Sequence, residues 1–408
     1  MHSRWLWFVI GAAFAALILL GVYQIPPVKN QLEWRMDAAA SIVRGWLYPG
    51  DTLPVPASAE TAVLTPFPTK TDTPIRASED RTATSIPTPT PLPAMVRLAS
   101  PQWEKQDWNN CGPATLALGL RFYGWGGDQY DISALIKPDR GDRNVNIDEL
   151  AYFVRNRAGW MGVEFRVGGT LEVLKRFIAA GFPMIIEKGY VIESDGPDAG
   201  WAGHYLLLTG YDDARQIFIA QDTFQGADEE VSYQTLSEGW KAFNRVYMVL
   251  YPTERQDDID HLLGTHIDEN FNREQALESA RAEVESDAQD AFAWFNLGTN
   301  LLYFERYDEA ARAYDSALAL GLPWRFTRYQ FGPYIAYFNT GRYEDVIDLA
   351  EVTLRRTNKA EESMLWRGWA RYQQGDLYGA IEDFRAALIV NPNYLDAQYA
   401  LEYLGASR

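Results

Sequence analysis

The sequence predicts a multidomain chain: an N-terminal transmembrane helix, an α+β domain and a C-terminal all-α solenoid. Three observations carry this reading. Trp5 to Tyr23 is an apolar run with no charge in it. Between Val96 and Pro252, helical patterns come first and strand-like runs last, which indicates α+β rather than alternating βαβ units. From Thr265 to Arg408 helical segments recur, with Tyr307, Tyr343 and Leu377 spaced 36 and then 34 residues apart. The 408 residues suffice for two or three domains, and 47% hydrophobic and 14% aromatic content supports packed cores.

Taken in order, the run 5–23 is long enough to cross a bilayer once. It exceeds a signal-peptide core, and no small-x-small cleavage site follows cleanly, so the reading is an uncleaved signal anchor. The lipid bilayer is thus one expected partner, and the large soluble part lies outside the cytoplasm at the cell membrane. Leu32, Met36, Ala39, Val43 and Leu47 then fall on one face of a helix, completing an anchor and juxtamembrane unit over 1–50. Residues 51–95 hold nine of the 21 prolines and ten threonines. Such a composition buries no core and reads as an extended linker.

A net charge of −18 argues against nucleic acid as a partner. The single cysteine rules out an internal disulfide. With four histidines and no Cys/His cluster, no metal or other cofactor is expected.

The domain 96–252 opens on Asn109-Asn110-Cys111-Gly112-Pro113-Ala114, a loop turning into a helix. Pro113 suits a first helical turn, and the residues after it are good helix formers. A cysteine at that place has its thiolate favoured by the helix dipole and free N–H groups. Further helices are expected at 131–136, 147–157 and 170–180, and strands at 183–188, 204–209, 217–221 and 245–251. A thiol nucleophile needs a base, and His204 is the one imidazole in the domain. The imidazole in turn needs an acceptor. A regular hairpin centred on Asp213 sets His204 opposite Asp222, roughly 4.5–5.5 Å apart at Cβ. Asp212 and Asp213 are nearby but belong to the turn. The Cys111 backbone N–H and the Gln106 amide are the candidate oxyanion donors. Trp108 and Trp201 flank the two stretches and are candidates for a substrate groove, though tryptophan more often fills a core.

Gln106…Cys111-Gly112-Pro113-Ala114, then Gly203-His204-Tyr205, then Gln221-Asp222, resembles the papain-like bacteriocin-processing cysteine peptidases that cleave after double-glycine leaders. The resemblance covers roughly Val96 to Pro252. It implies a papain-like fold, a Cys-His-Asp triad and cleavage of a peptide or amide bond in a peptide or protein substrate. Two departures stand out. Transporter-linked members place the glutamine six residues before the cysteine, where this chain has Lys105; Gln106 is at five. Those members also carry several transmembrane helices and an ATPase, so double-glycine leader cleavage is not implied here.

The region 265–408 resembles the tetratricopeptide repeat. Trp294, Leu297, Gly298, Ala310, Tyr314 and Ala317 recur in a later unit as Gly368, Ala380, Phe384, Ala387 and Pro392. A middle unit lacks the Trp/Leu/Gly set and has Pro333 there; residues 393–404 would cap the stack. The resemblance implies protein partners. Two functional classes follow: an anchored cysteine peptidase with an interaction module, or a non-hydrolytic peptide-binding scaffold on a peptidase-like fold. Thiol acyl transfer or amidase chemistry is a variant of the first, since one thioester serves either acceptor.

Overall fold

The computed structural model describes residues 35–36, 39–40, 42–48, 50, 52–57, 91–192 and 200–407, with isolated positions 7, 11, 14 and 21. The apolar run 5–23 lies outside the described residues apart from those four positions. Among the described residues no helix is long and apolar enough to cross a membrane. Of the juxtamembrane stretch, residues 42–47 are helical and largely exposed.

The α+β domain is built on a seven-stranded antiparallel sheet. Its strands are β1 (Met95–Arg97), β2 (Met161–Arg166), β3 (Met184–Ile192), β4 (Gly200–Asp212), β5 (Ile217–Asp222), β6 (Gly226–Ser232) and β7 (Tyr247–Pro252). They lie in the order β2-β7-β3-β4-β5-β6, with β1 on β4. Strand β4 is central, and residues 202–211 along it are all buried. Its near-continuous apolar run is what a strand covered on both faces requires. Leu206 and Leu208 enter one core with Ala220. Tyr205 and Leu207 enter the other. Helices α1 (Cys111–Phe122), α2 (Gln129–Ile136) and α3 (Ile147–Arg157) pack on the Tyr205 side. Helices α4 (Leu171–Ala179), α5 (Tyr233–Lys241) and α6 (Gln256–Leu263) pack on the Leu206 side. The domain core therefore runs past Pro252 to Leu263. Strands β1, β2 and β6 escaped the sequence reading; β6 reads GADEEVS, which lacks apolar alternation because it is an exposed edge.

Helix α1 is enclosed rather than amphipathic: every residue from Gly112 to Leu120 is buried. Gly119 lets it approach the sheet, since a Cβ there would stand 2.8 Å from the Leu250 side chain. The expected hairpin register does not form. Leu207 pairs with Gln221 and Leu208 with Ala220, after which a bulge shifts the ladder so that Gly210 pairs with Ile219. Continued from Leu208 and Leu207, that register puts Asp222 opposite Leu206, diagonal to His204 rather than opposite it. The diagonal is still within reach of two polar side chains.

The C-terminal helices stack in pairs. They are α7 (Glu269–Ser286), α8 (Ala291–Tyr303), α9 (Tyr307–Ala319), α10 (Gly332–Asn339), α11 (Tyr343–Arg356), α12 (Glu361–Gln373), α13 (Leu377–Val390) and α14 (Leu395–Tyr403). Gly298 and Gly368 sit where paired helices touch: an added Cβ would be 2.7 Å from the Tyr314 ring and 2.6 Å from the Phe384 ring. The middle pair differs. Pro333 lies at the start of α10, which has eight residues where α8 has thirteen. The turns replaced by this shortening form a loop, 320–331, with one 3₁₀ turn at Phe326–Arg328.

That loop folds back on the α+β domain, and the two modules share one apolar core. Val167, Ala242, Phe243 and Val246 pack with Leu297, Leu301, Phe295 and Phe326. Asn244 and Asn300 exchange amide hydrogen bonds of 2.9 and 3.2 Å. Lys241 pairs with Asp290 across the same seam. Elsewhere on the seam Glu149 meets Glu361 and Glu362, where burial holds all three carboxyls well above their ordinary range. The start of the linker also departs from expectation. Leu53 is buried and its N–H donates to the Leu322 carbonyl at 2.9 Å, so residues 52–57 dock on the repeats.

Candidate active site

Helix α1 begins at Cys111, with Asn110 buried just ahead of it. Two contacts fix this helix start against β4. An added Cβ on Gly112 would stand 3.2 Å from Val145 and 3.4 Å from the Tyr205 ring. Thr115 Oγ1 donates to the Tyr205 carbonyl at 3.3 Å. Because Tyr205 follows His204 on β4, the same packing brings the thiol to the imidazole. Cys111 lies partly exposed in a cleft that His204 also lines.

His204 is 3% exposed, and its Nε2 lies 2.8 Å from Asp222 Oδ1. The same Oδ1 accepts the backbone N–H groups of Phe224 at 2.8 Å and Gln225 at 3.1 Å. The Asp222 carbonyl accepts Trp103 Nε1 at 3.0 Å. The imidazole is flanked by the rings of Tyr190, 5.2 Å between centroids, and Phe224, 6.5 Å. With Nε2 turned to Asp222, Nδ1 is the ring nitrogen left for the thiol.

The electrostatics favour an ion pair. Burial pushes the Cys111 thiol up, but the hydrogen bond and charge of His204 outweigh it and hold the thiol below its ordinary value. Backbone hydrogen bonds with Tyr205 and Gly112 act in the same direction. Burial alone would lower His204; hydrogen bonds to Asp222 and Cys111 overcome it and raise the imidazole to about 9. Burial would likewise raise Asp222, and its bond to His204 holds it below the usual carboxylate range.

Gln106 lies in the loop before α1 and lines the same cleft. Its N–H donates to the Thr223 carbonyl at 2.8 Å, and its Oε1 accepts the Thr223 hydroxyl at 2.9 Å. With Oε1 taken, the end of the amide that can serve an oxyanion is Nε2. Gln129 braces the loop: its Oε1 accepts from Asp107 N at 2.6 Å and Asn110 Nδ2 at 2.9 Å, and its Nε2 donates to the Lys105 carbonyl at 2.9 Å.

The two tryptophans separate. Trp108 lines the cleft, with the Arg143 guanidinium 4.8 Å above its ring. Trp201 does not line it. It stacks on Phe243 at 6.0 Å and packs on Phe326 at 5.1 Å and Tyr329 at 5.8 Å, inside the seam between the modules. Its side of the strand faces the repeats, whose aromatic loop takes the ring.

The cleft encloses about 950 Å³, and part of its wall comes from the repeats: Arg325, Arg328 and Tyr329 of the 320–331 loop. Sequence reasoning missed all three. The one signal available was the broken repeat pattern around Pro333. Thr223 was also missed, although it directly follows Asp222.

A thiol and an imidazole thus line one cleft of an α+β domain fused to paired helical repeats, with the Asp222 carboxylate hydrogen-bonded to the imidazole. Residues 97–251 match the model of the Peptidase C39 like family. Among solved structures, the chain is similar to a putative C39-like peptidase from Bacillus anthracis at 17% identity, covering 38% of this chain and 97% of that one, TM-score 0.31. It is similar to a MamA RS-1 double mutant at 17% identity, covering 33% and 74%, TM-score 0.30. It is also similar to YrrB, described as a TPR protein with an unusual peptide-binding site, at 16% identity, covering 36% and 89%, TM-score 0.20. No curated protein matches the chain.

Proposed function

We propose that this chain is a membrane-anchored, extracytoplasmic cysteine peptidase acting through Cys111, His204 and Asp222. The observation that carries the reading is that Cys111 and His204 line one cleft, with the His204 Nε2 backed by Asp222 Oδ1 at 2.8 Å. The Cys111 thiolate attacks the carbonyl carbon of the scissile amide. The oxyanion that forms is held by the Cys111 backbone N–H and Gln106 Nε2, where a single such donor is worth about 10²–10³ in rate. His204 gives its proton to the leaving nitrogen, the C–N bond breaks and a thioester remains. His204 then takes a proton from water, which attacks the thioester and frees the acid and the thiolate. Asp222 holds the imidazole in position and stabilises its charged form.

The anchor reading rests on the 5–23 run, and the partner reading on the helical repeats. The test uses the full chain in detergent micelles with a peptide library, against Cys111→Ala. Cleavage is expected for the native chain and falls at least about 10³-fold in the variant. Rapid alkylation of Cys111 by iodoacetamide at neutral pH is expected too. Cleavage equal in both chains, or none in either, would leave a peptide-binding scaffold as the reading.

A further inference from the structure

The juxtamembrane helix turns its apolar side the wrong way for a globular surface. Residues 42–47 are helical, as are the described positions 35, 36, 39 and 40. At 3.6 residues per turn, Met36, Ala39, Val43, Trp46 and Leu47 fall within one arc of about 100°. A helix that packs on a protein directs such an arc inward. Here it faces out: Met36 is 64% exposed, Val43 50%, Trp46 80% and Leu47 65%. A single exposed apolar side chain is ordinary, but four on one arc, a tryptophan among them, form a patch of the kind that marks a binding surface.

The side that is held is the opposite one. Arg44 and Gly45 are half-buried, between exposed Val43 and Trp46. They face the last turn of α11: an added Cβ on Gly45 would stand 4.0 Å from Arg356 Nη2. The Arg355 guanidinium lies 5.9 Å from the centre of the Tyr48 ring. Arg356 Nη1 donates to the Gly50 carbonyl at 2.6 Å, and Leu53 then enters the shared core. The helix is thus fixed to the repeats by its polar side, which leaves the apolar arc pointing away from the protein.

Position along the chain selects what covers the arc. Tyr23 ends the charge-free apolar run, and Arg35 follows twelve residues later, a reach of no more than about 40 Å. The arc has the make-up of a helix lying in a lipid interface, a tryptophan with leucine, valine and methionine. Charge contributes little: between 24 and 48, Lys29, Arg35 and Arg44 meet Glu33 and Asp37. Arg35, on the same helix, also lines the cleft that holds Cys111. A helix lying on the bilayer therefore keeps that end of the cleft within one helix diameter, about 10–12 Å, of the headgroups.

We propose that this helix lies flat on the membrane, with Met36, Val43, Trp46 and Leu47 in the lipid headgroup layer, and holds the Cys111 cleft at the bilayer surface, where its substrates are polypeptide segments close to the membrane. The placement rests on the anchor reading above, and the substrate class on the peptidase reading. The attachment is apolar, so it forms on neutral phosphatidylcholine and persists in high salt.

The experiment places a nitrobenzoxadiazole label on one introduced cysteine at a time in the full Cys111→Ala chain. The chain is reconstituted in phosphatidylcholine vesicles with lipids spin-labelled either near the headgroup or deep in the acyl chain. Labels at Val43→Cys and Leu47→Cys are expected to be quenched by the shallow spin label at least about twofold more strongly than one at Tyr48→Cys, on the held side. A label at Leu19→Cys reports the anchor separately, through the deep spin label. Quenching at 19 with none at 43 and 47 overturns the proposal and leaves the anchor standing. Quenching at 43 and 47 without 19 keeps the surface helix and removes the spanning run. Equal quenching at 43, 47 and 48 overturns the orientation, and none at any position overturns both readings. Trp46→Ser with Leu47→Ser changes exposed side chains, so the urea midpoint is expected to hold while quenching at 43 falls, in low and high salt alike. In the chain with Cys111 intact, the same pair of substitutions is expected to slow cleavage of a lipid-tethered peptide about tenfold and to leave the same peptide free in solution unaffected. Equal loss on both peptides, or none on either, overturns the substrate class. With no cleavage of any peptide the substrate class falls with the peptidase reading, and quenching alone decides the placement.

Discussion

The cleft has two walls of different origin. One comes from the α+β domain and carries Cys111, His204 and Gln106; the other comes from the repeats and carries Arg325, Arg328 and Tyr329. The first wall is made of elements whose chemistry is local: a helix start, a strand and a hairpin partner eighteen residues on. The second exists because a repeat is interrupted. In the outer pairs, Gly298 against Tyr314 and Gly368 against Phe384 keep the helices in close register. In the middle pair the shortened α10 gives that regularity up, and the chain it releases goes to the cleft. A break in a structural repeat is therefore informative in its own right, as a place where packing has yielded to another use.

The comparison breaks most sharply at Trp201, which belongs to the first wall by sequence and holds the second by packing. Trp201→Ala is expected to cost about 3–5 kcal/mol in urea unfolding, because it leaves a cavity among Phe243, Phe326 and Tyr329. It is also expected to raise KM, since Arg325 donates to its carbonyl. Trp108→Ala, on the cleft side, is expected to act on KM with a stability change below about 2 kcal/mol. Equal stability losses would mean that the seam does not depend on Trp201.

A second prediction concerns the first wall alone. The raised His204 keeps its proton up to about pH 9, and Cys111 loses its own below the ordinary thiol value. As pH falls, the thiolate is protonated and both hydrolysis and alkylation decline. As pH rises through about 9, the imidazolium is lost, so hydrolysis falls about tenfold per unit while iodoacetamide alkylation holds. Alkylation and hydrolysis falling together on the alkaline side would place the limb in something other than His204.

The smallest effect is expected at Thr223. Thr223→Val keeps the shape and the backbone bond to Gln106 but removes the hydroxyl that fixes its Oε1. A loss of up to about tenfold in kcat with little change in KM is expected if Gln106 faces the oxyanion. An unchanged kcat would take Gln106 out of that role.

Much of the first wall was legible because its signals are short-range. Cys111 sits where Pro113 and the helix formers after it start a helix, and His204 had no competitor as the domain's imidazole. Asp222 was found by assuming a regular hairpin. The hairpin turns elsewhere, pairing Asp212 with Ile217, and even after the bulge between Leu208 and Gly210 the ladder runs two residues off that register, yet the contact forms along the diagonal. A two-residue slip leaves no trace in the alternation, because it keeps every side chain on its own face of the sheet. Strand β6 was missed for the related reason that an exposed edge needs no apolar alternation. Residues 52–57 read as linker, since two buried residues, Leu53 and Pro56, are too few to leave a periodic trace.

By itself the sequence determined what short-range physics determines: the apolar N-terminal run, the enclosed helix behind Cys111, the buried central strand with its histidine, and the paired helices with glycine at their contacts. Tertiary structure alone decided that the two modules share a core, that Trp201 faces the seam while Trp108 faces the cleft, and that three residues of an irregular loop line the same cleft as His204. The reason is distance along the chain. Gly203 and Tyr329 are packed against each other, and no local pattern of either stretch encodes the other's position.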